Sequence, residues 1–296
     1  MSSESPTNPT PIPTAQGIPE GFTEFLPPWS LEAEAWWIFP SIPLSWQSKK
    51  LPRGALDPLE SDRLEDLQAT YMGGLGSVQL LRYHTSPVGP YDELLYVPGK
   101  MKYKVGNSTI SGLSITRIYV SSPASIVNGR RNWNIPKQLA RFEFHTETPN
   151  PLSPVVAAVY PALNGTGTAP EPEFAAEPVF RARLVPSRLL PNFPLNVAHF
   201  PRAIVDPRLF QAPLTSASPV GGAVVGTEKW CTVAPEFKGR VRVMYPEPGL
   251  GGKFGDGVGF PDVRPLLVGV WWPKANIRFP AAEILNPENS EDKKAK

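Results

Sequence analysis

Short stretches in which apolar and polar positions alternate, or in which apolar and β-branched residues run together, are spread along the chain: Ser77–Tyr83, Tyr91–Val97, Ile115–Ser121, Val179–Leu184, Gly239–Tyr245 and Leu266–Trp272. A period of two sends successive side chains to opposite faces, so each stretch predicts a strand, and together they predict an antiparallel, β-rich core. The clearest helical spacing is that of Leu59, Leu64, Leu67 and Tyr71. It predicts a helix over Leu59–Met72, with Ser61 and Asp62 able to cap the start and Gly73 and Gly74 ending it. The 38 prolines and 24 glycines argue against long helices, because an internal proline removes a backbone donor and clashes with the preceding turn.

Neither an internal repeat nor a break in composition divides the chain, which reads as a single domain over residues 21–286. Disordered tails precede it (residues 1–20) and follow it (residues 287–296). Pro149–Pro178 carries enough Pro, Ala, Gly and Thr to contain a long surface loop, and the glycines of Gly249–Gly259 read as a lid or surface loop. With 41% hydrophobic and 10% aromatic residues there is ample material for a core. The pairs Trp36-Trp37 and Trp271-Trp272 fit core packing or an oligomer interface, and also the wall of an apolar cavity.

Charge and cysteine content narrow the function. Lys plus Arg number 29 against 27 Asp plus Glu, without a basic cluster, so nucleic acid is not an indicated partner. Apolar runs such as Leu266–Trp272 are too short to cross a bilayer, and Met1–Pro13 lacks the features of a secretory signal. The reading is a cytoplasmic protein with no membrane partner. Cys231, the single cysteine, reads as a buried small hydrophobe. His84, His145 and His199 have no ligand spacing, so no metal and no cofactor is predicted. The sequons at Asn107 and Asn164 are discounted for want of a signal.

Three segments carry chemistry. Asn128-Gly129-Arg130-Arg131-Asn132-Trp133-Asn134-Ile135-Pro136-Lys137-Gln138-Leu139-Ala140 follows a strand ending at Tyr119 and Val120. It resembles the lysine motif of the acetoacetate decarboxylase superfamily, in which a Gly-Arg-Glu precedes an aromatic-Pro-Lys-Lys-Leu. Tyr83–Glu93 is similar to the strand and turn that present an active-site glutamate in that family, and Trp272–Glu283 to its closing strand and proline-rich turn. The resemblance runs from about Gly73 to Leu285. It implies an α+β fold, mostly antiparallel β, with a cone- or barrel-like sheet around an apolar cavity, and a homo-oligomer. It also implies that Lys137 is the Schiff-base lysine and Glu93 the catalytic carboxylate, although Glu93 equally fits an exposed turn residue beside Asp92. Arg130, Gln138, Gln79 and Trp133 are the candidate substrate-binding residues, with Arg130 better suited to tying down its loop through backbone carbonyls.

The chain departs from the family's pattern in places that bear on function. The second lysine of the motif is Gln138, the Glu after Gly-Arg is Arg131, and an acidic position on the preceding strand falls near Val78 and Gln79. An amine attacks a carbonyl only when neutral, whereas an ordinary lysine has a pKa of about 10.4. The expectation is that burial near Trp133, Ile135 and Pro136, with help from Arg130 or Arg131, lowers the pKa of Lys137. The function expected is a cofactor-independent, decarboxylase-like lyase acting on a β-keto acid or polyketide-like carbonyl substrate. The alternatives are a Schiff-base aldolase or dehydratase, or a non-catalytic small-molecule-binding protein on the same fold.

Overall fold

The computed structural model describes residues 17–40, 50–163, 172–199, 206–216 and 225–285. The expected tails at residues 1–16 and 287–296 and the Asn164 sequon lie outside them. The strands are β1 (Trp29–Pro40), β2 (Thr70–Gly73), β3 (Ser77–Thr85), β4 (Tyr91–Val97), β5 (Lys100–Val105), β6 (Ser108–Leu113), β7 (Arg117–Val120) and β8 (Lys137–Thr146). They continue with β9 (Val155–Pro161), β10 (Phe180–Pro186), β11 (Phe193–Asn196), β12 (Leu209–Gln211), β13 (Trp230–Val233), β14 (Glu236–Pro248), β15 (Pro265–Phe279) and β16 (Glu283–Leu285). Among the described residues there are two α-helices, α1 (Ser61–Asp66) and α2 (Pro123–Trp133).

The large sheet runs β10-β9-β8-β7-β4-β3-β1-β15-β14-β11, and a further pairing of β10 with β14 closes it into a ring. One edge of β14 serves both partners. Its first half pairs with β11 and its second half with β10. All neighbours in the ring are antiparallel except β7 and β8. A parallel pair needs a crossover, and α2 supplies it. A smaller sheet, β16-β13-β12-β6-β5-β2, lies against part of the ring.

Strand alternation sorts the apolar side chains into two main cores. On β4, Leu95 and Val97 enter one core while Leu94 and Tyr96 enter the other. The first core also takes Ile126 and Trp133 from α2 and Leu209 and Val233 from the small sheet. The second collects side chains from β1, β3, β4, β7, β8, β9, β10, β14 and β15. Both tryptophan pairs are split by the same rule. Trp36 and Trp271 enter the second core, Trp272 the first, and Trp37 packs against the first.

Several expectations are corrected. The helix expected over Leu59–Met72 is a 3₁₀ turn at Pro58–Glu60 followed by the short α1, and Thr70–Gly73 is strand. The start is capped by Asp57, whose side chain accepts from Leu59 N at 2.9 Å, rather than by Ser61. The stretch Pro149–Pro178, expected to contain a long surface loop, also contains β9, paired between β8 and β10, and its residues 164–171 lie outside the described ones. Gly249–Gly259 is no free lid, because Phe254 within it and Phe260 just beyond it are fully buried in the second core. Asp256 also ties the loop down by accepting from three successive backbone N–H groups, Val258, Gly259 and Phe260.

Candidate active site

Lys137 opens β8 and pairs with Ile118 of β7, while Glu93 on β4 pairs with Val120 of the same strand. The two side chains therefore rise from strands that flank β7 and meet over it. Lys137 Nζ donates to Glu93 Oε2 at 2.7 Å and to Ser125 Oγ at 2.9 Å. Tyr83 Oη donates to the other carboxylate oxygen, Oε1, at 3.1 Å. The Tyr91 ring, stacked on Tyr83 with centroids 4.4 Å apart, lies 5.3 Å from Nζ. Lys137 is 4% exposed and Glu93 3%.

Helix α2 sets the lysine's place. Ser122 caps it by accepting from Ser125 N, Pro123 opens it, and Asn134 ends it in the left-handed region with φ 53°. Beside the apolar Ile126, Val127 and Trp133 it buries the polar Ser125, Asn128, Arg130 and Asn132. Asn128 accepts from Phe25 N at 2.7 Å and donates to Thr23 O at 3.0 Å, tying the helix to the segment before β1. Gly129 lies directly against the lysine. A Cβ there would come within 2.7 Å of both Lys137 Cδ and Cε, so only glycine leaves the side chain room.

Burial, the largest single influence on Lys137, favours its neutral form, but the Glu93 carboxylate and Tyr91 outweigh it and hold the pKa above the ordinary lysine value. This corrects the expected downward shift. The site rests as an ammonium–carboxylate pair. Neither arginine bears on it: Arg130 pairs with Glu60 at 2.8 Å, and Arg131 with Glu24. Burial also pushes the Tyr91 hydroxyl up to about 12 and the Tyr83 hydroxyl well above its ordinary value.

Two connected spaces adjoin the pair. An inner pocket of about 20 Å³ is lined by Lys137, Glu93, Tyr83, Tyr91, Trp133 and Ile135 among others. An outer cavity of about 170 Å³ shares Glu93, Tyr83, Leu95, Ile115 and Phe279 with it. The β1-β3-β4 face of the ring walls the outer cavity on one side through Trp37, Gln79 and Leu81, and Leu113 and Leu209 of the small sheet wall it on the other. The apolar cavity thus lies where the small sheet covers the ring.

Of the residues expected to form the site, Lys137, Glu93 and Trp133 meet around the inner pocket and Gln79 lines the outer cavity, its Nε2 donating to Ser77 Oγ at 3.0 Å. Trp133 faces it through its ring, while its Nε1 donates to Pro280 O at 2.8 Å. Two residues lie elsewhere. Gln138, next to Lys137 on a strand, points to the opposite side, where Nε2 donates to both oxygens of Asp57 at 2.8 and 2.9 Å. Arg130 is fully buried and donates to the carbonyls of Val225 and Thr215 as well as to Glu60. Ser125, Tyr83, Tyr91 and Gly129 complete the site without having been singled out in the sequence. Among the described residues, no group of three or more His, Cys, Asp and Glu side chains is placed to hold a metal ion. Cys231 is buried, its thiol pushed up to about 12 by burial.

No protein-family model and no curated protein sequence matches the chain. Among solved structures, the enduracididine biosynthesis enzyme MppR complexed with pyruvate aligns over 91% of this chain and 95% of its own, with a TM-score of 0.52 at 14% identity. MppR complexed with the condensation product of pyruvate and imidazole 4-carboxaldehyde aligns over 95% and 99%, with a TM-score of 0.51 at 13% identity. An acetoacetate decarboxylase from Legionella pneumophila aligns over 97% and 98% at 12% identity, with a TM-score of 0.49. The chain shares the fold of MppR. Identities this low fix the fold alone, so any chemistry must come from the site itself. In this chain the site is a buried lysine–carboxylate pair at the inner end of an apolar cavity.

Proposed function

We propose that the chain is a cofactor-independent lyase of decarboxylase or aldolase type, in which Lys137 forms a Schiff base with a carbonyl substrate and Glu93 moves the protons. The observation that carries this reading is the 2.7 Å contact between two buried, oppositely charged groups beside a cavity able to admit a small molecule. A neighbour of the same fold holds a carbonyl condensation product, which accords with it.

The steps follow from the geometry. Lys137 passes a proton to Glu93 Oε2 and the neutral amine adds to the carbonyl carbon. The new hydroxyl leaves as water, taking that proton back from Glu93, so that one carbonyl and one ammonium become one iminium and one water. The iminium, paired with the Glu93 carboxylate, accepts the electron pair of a neighbouring C–C bond. The departing fragment is CO2 from a β-keto acid or an aldehyde from a β-hydroxy ketone. Protonation of the enamine carbon and hydrolysis by water release the product and restore Lys137. Ser125 and Tyr83 hold Nζ and the carboxylate in register throughout.

Borohydride reduction in the presence of a panel of carbonyl compounds, followed by mass spectrometry of the peptide containing Lys137, tests the proposal. A stable adduct on Lys137 that is missing from Lys137→Ala is the expected result. Folded protein that gives no adduct with any carbonyl compound overturns it.

A further inference from the structure

Resting on that reading, we propose that the substrate is an uncharged aldehyde or methyl ketone bearing a compact hydrocarbon or aromatic tail, and that the reaction is aldol or retro-aldol rather than decarboxylation. Three features of the site lead there. The first is charge. Among the described residues, Glu93 is the only charged side chain lining the outer cavity, and Lys137 the only cation at the inner pocket. A substrate carboxylate would place two anions around one cation, in a setting where unpaired charge is strongly disfavoured. A neutral ketone leaves the pair balanced at every step.

The second feature is size. The inner pocket, at about 20 Å³, holds little more than a water-sized group, so one substituent of the carbonyl carbon must be hydrogen or methyl. The third is the character of the outer cavity. Its 170 Å³ compares with the roughly 150 Å³ that accommodates benzene in an apolar protein cavity. Trp37, Leu81, Leu113, Leu209 and Phe237 wall it, and the Gln79 amide is placed to meet a neutral oxygen on the substrate.

In the cleavage direction, Glu93 takes the proton of the β-hydroxyl, the C–C bond breaks toward the iminium, and an aldehyde leaves. Glu93 then returns the proton to the enamine carbon. No external acid, base or redox partner is consumed, and hydrolysis of the resulting iminium frees the ketone.

The test is competitive trapping on the full chain with cyanoborohydride, using benzylacetone, its ethyl ketone homologue, acetoacetate and pyruvate, with the Lys137 adduct quantified by mass spectrometry. Benzylacetone is expected to trap at least about tenfold faster than the ethyl ketone and about a hundredfold faster than either acid. Acetoacetate or pyruvate trapping as fast as benzylacetone overturns the inference while leaving the Schiff base standing. Equal trapping of the two ketones overturns the size argument. No adduct from any compound sinks the Schiff-base reading and this inference with it. Gln79→Arg supplies an independent arm, since a cation added to the cavity wall should shift preference toward acetoacetate by at least about tenfold.

Discussion

Replacing Glu93 with Gln keeps the shape of the side chain and removes the charge that holds Lys137 protonated. Breaking a buried ion pair from one side costs about 3–5 kcal/mol, because the remaining charge is left without a partner. Lys137 has a way out, which is to lose its proton. With a reference pKa of about 10.4, deprotonating it at pH 7 costs about 4.6 kcal/mol, at about 1.36 kcal/mol per unit. The two penalties are alike in size, so the variant should lose about 3–5 kcal/mol at pH 7 and fold with much of its lysine neutral. In the wild type the folded pKa of Lys137 lies above its unfolded value. The stabilisation is therefore fully present below about pH 10.4 and lost only as pH rises through the folded value, leaving stability between pH 7 and 9 flat from this group. In Glu93→Gln burial, the largest influence, is opposed only by Tyr91 and the Ser125 acceptor, and it depresses the folded pKa. Stability should then rise with pH up to the unfolded value, recovering as much as about 2.7 kcal/mol between pH 7 and 9. Urea denaturation at the two pH values measures both quantities. A loss below about 1 kcal/mol at pH 7, with no narrowing of the gap at pH 9, would refute the assignment of a charged, interdependent pair.

Three further substitutions probe other parts of the site. Gly129→Ala pushes a methyl group into Lys137 Cδ and Cε at 2.7 Å, so Lys137 trapping should fall by more than about tenfold while circular dichroism reports a folded chain; unchanged trapping would separate the helix from the lysine. Ser125→Ala removes an acceptor worth about 1 kcal/mol to the ammonium, so the midpoint of the pH profile of trapping should move down by about 0.7 units, and an upward shift would contradict the contact seen here. Gln138→Ala should cost about 1–3 kcal/mol of stability by leaving the buried Asp57 carboxylate short of donors, with trapping at Lys137 unaffected; a selective loss of trapping would put Gln138 back in the site.

Short apolar runs and alternation were a good guide to the strands whose faces lie under apolar cover. β4 spans the expected Tyr91–Val97, and β3 starts at the expected Ser77. They failed where the physical cause of an element is not apolar periodicity. Helix α2 has only a broken apolar stripe, because the residues it buries mix Ile126, Val127 and Trp133 with Ser125, Asn128, Arg130 and Asn132. Its signals were the capping sequence Ser122-Pro123 at the start and Asn134 two residues before Pro136 at the end, and both were overshadowed by the general abundance of proline. β15 outran its expected end at Trp272 because Pro273 sits in a double irregularity. Its register skips on β1 between Ala33 and Ala35 and on β14 between Arg240 and Arg242, so Pro273 has no ladder partner whose acceptor it would leave empty.

The same period of two decides how the departure at position 138 should be weighed. Position-by-position comparison with the family motif makes Gln138 look like a change within the active site, since it follows Lys137 directly. On a strand, however, adjacent residues face opposite ways, and β8 obeys this strictly: Leu139 enters the core on the lysine's side and Ala140 the other. Gln138 consequently completes a buried polar cluster with Asp57, which Arg117 also approaches at 3.7 Å, on the side away from the cavity. Its replacement of a lysine bears on how that cluster is neutralised, not directly on what touches a substrate. Protonation of Lys137 is governed instead by Glu93 from across β7, and that carboxylate favours the ammonium. A resting charge pair supplies the proton acceptor needed to unmask the amine, and among the described residues no further cation lines the cavity to meet an anionic substrate. On the reading proposed above, one arrangement serves the imine chemistry and favours an uncharged substrate over a carboxylate.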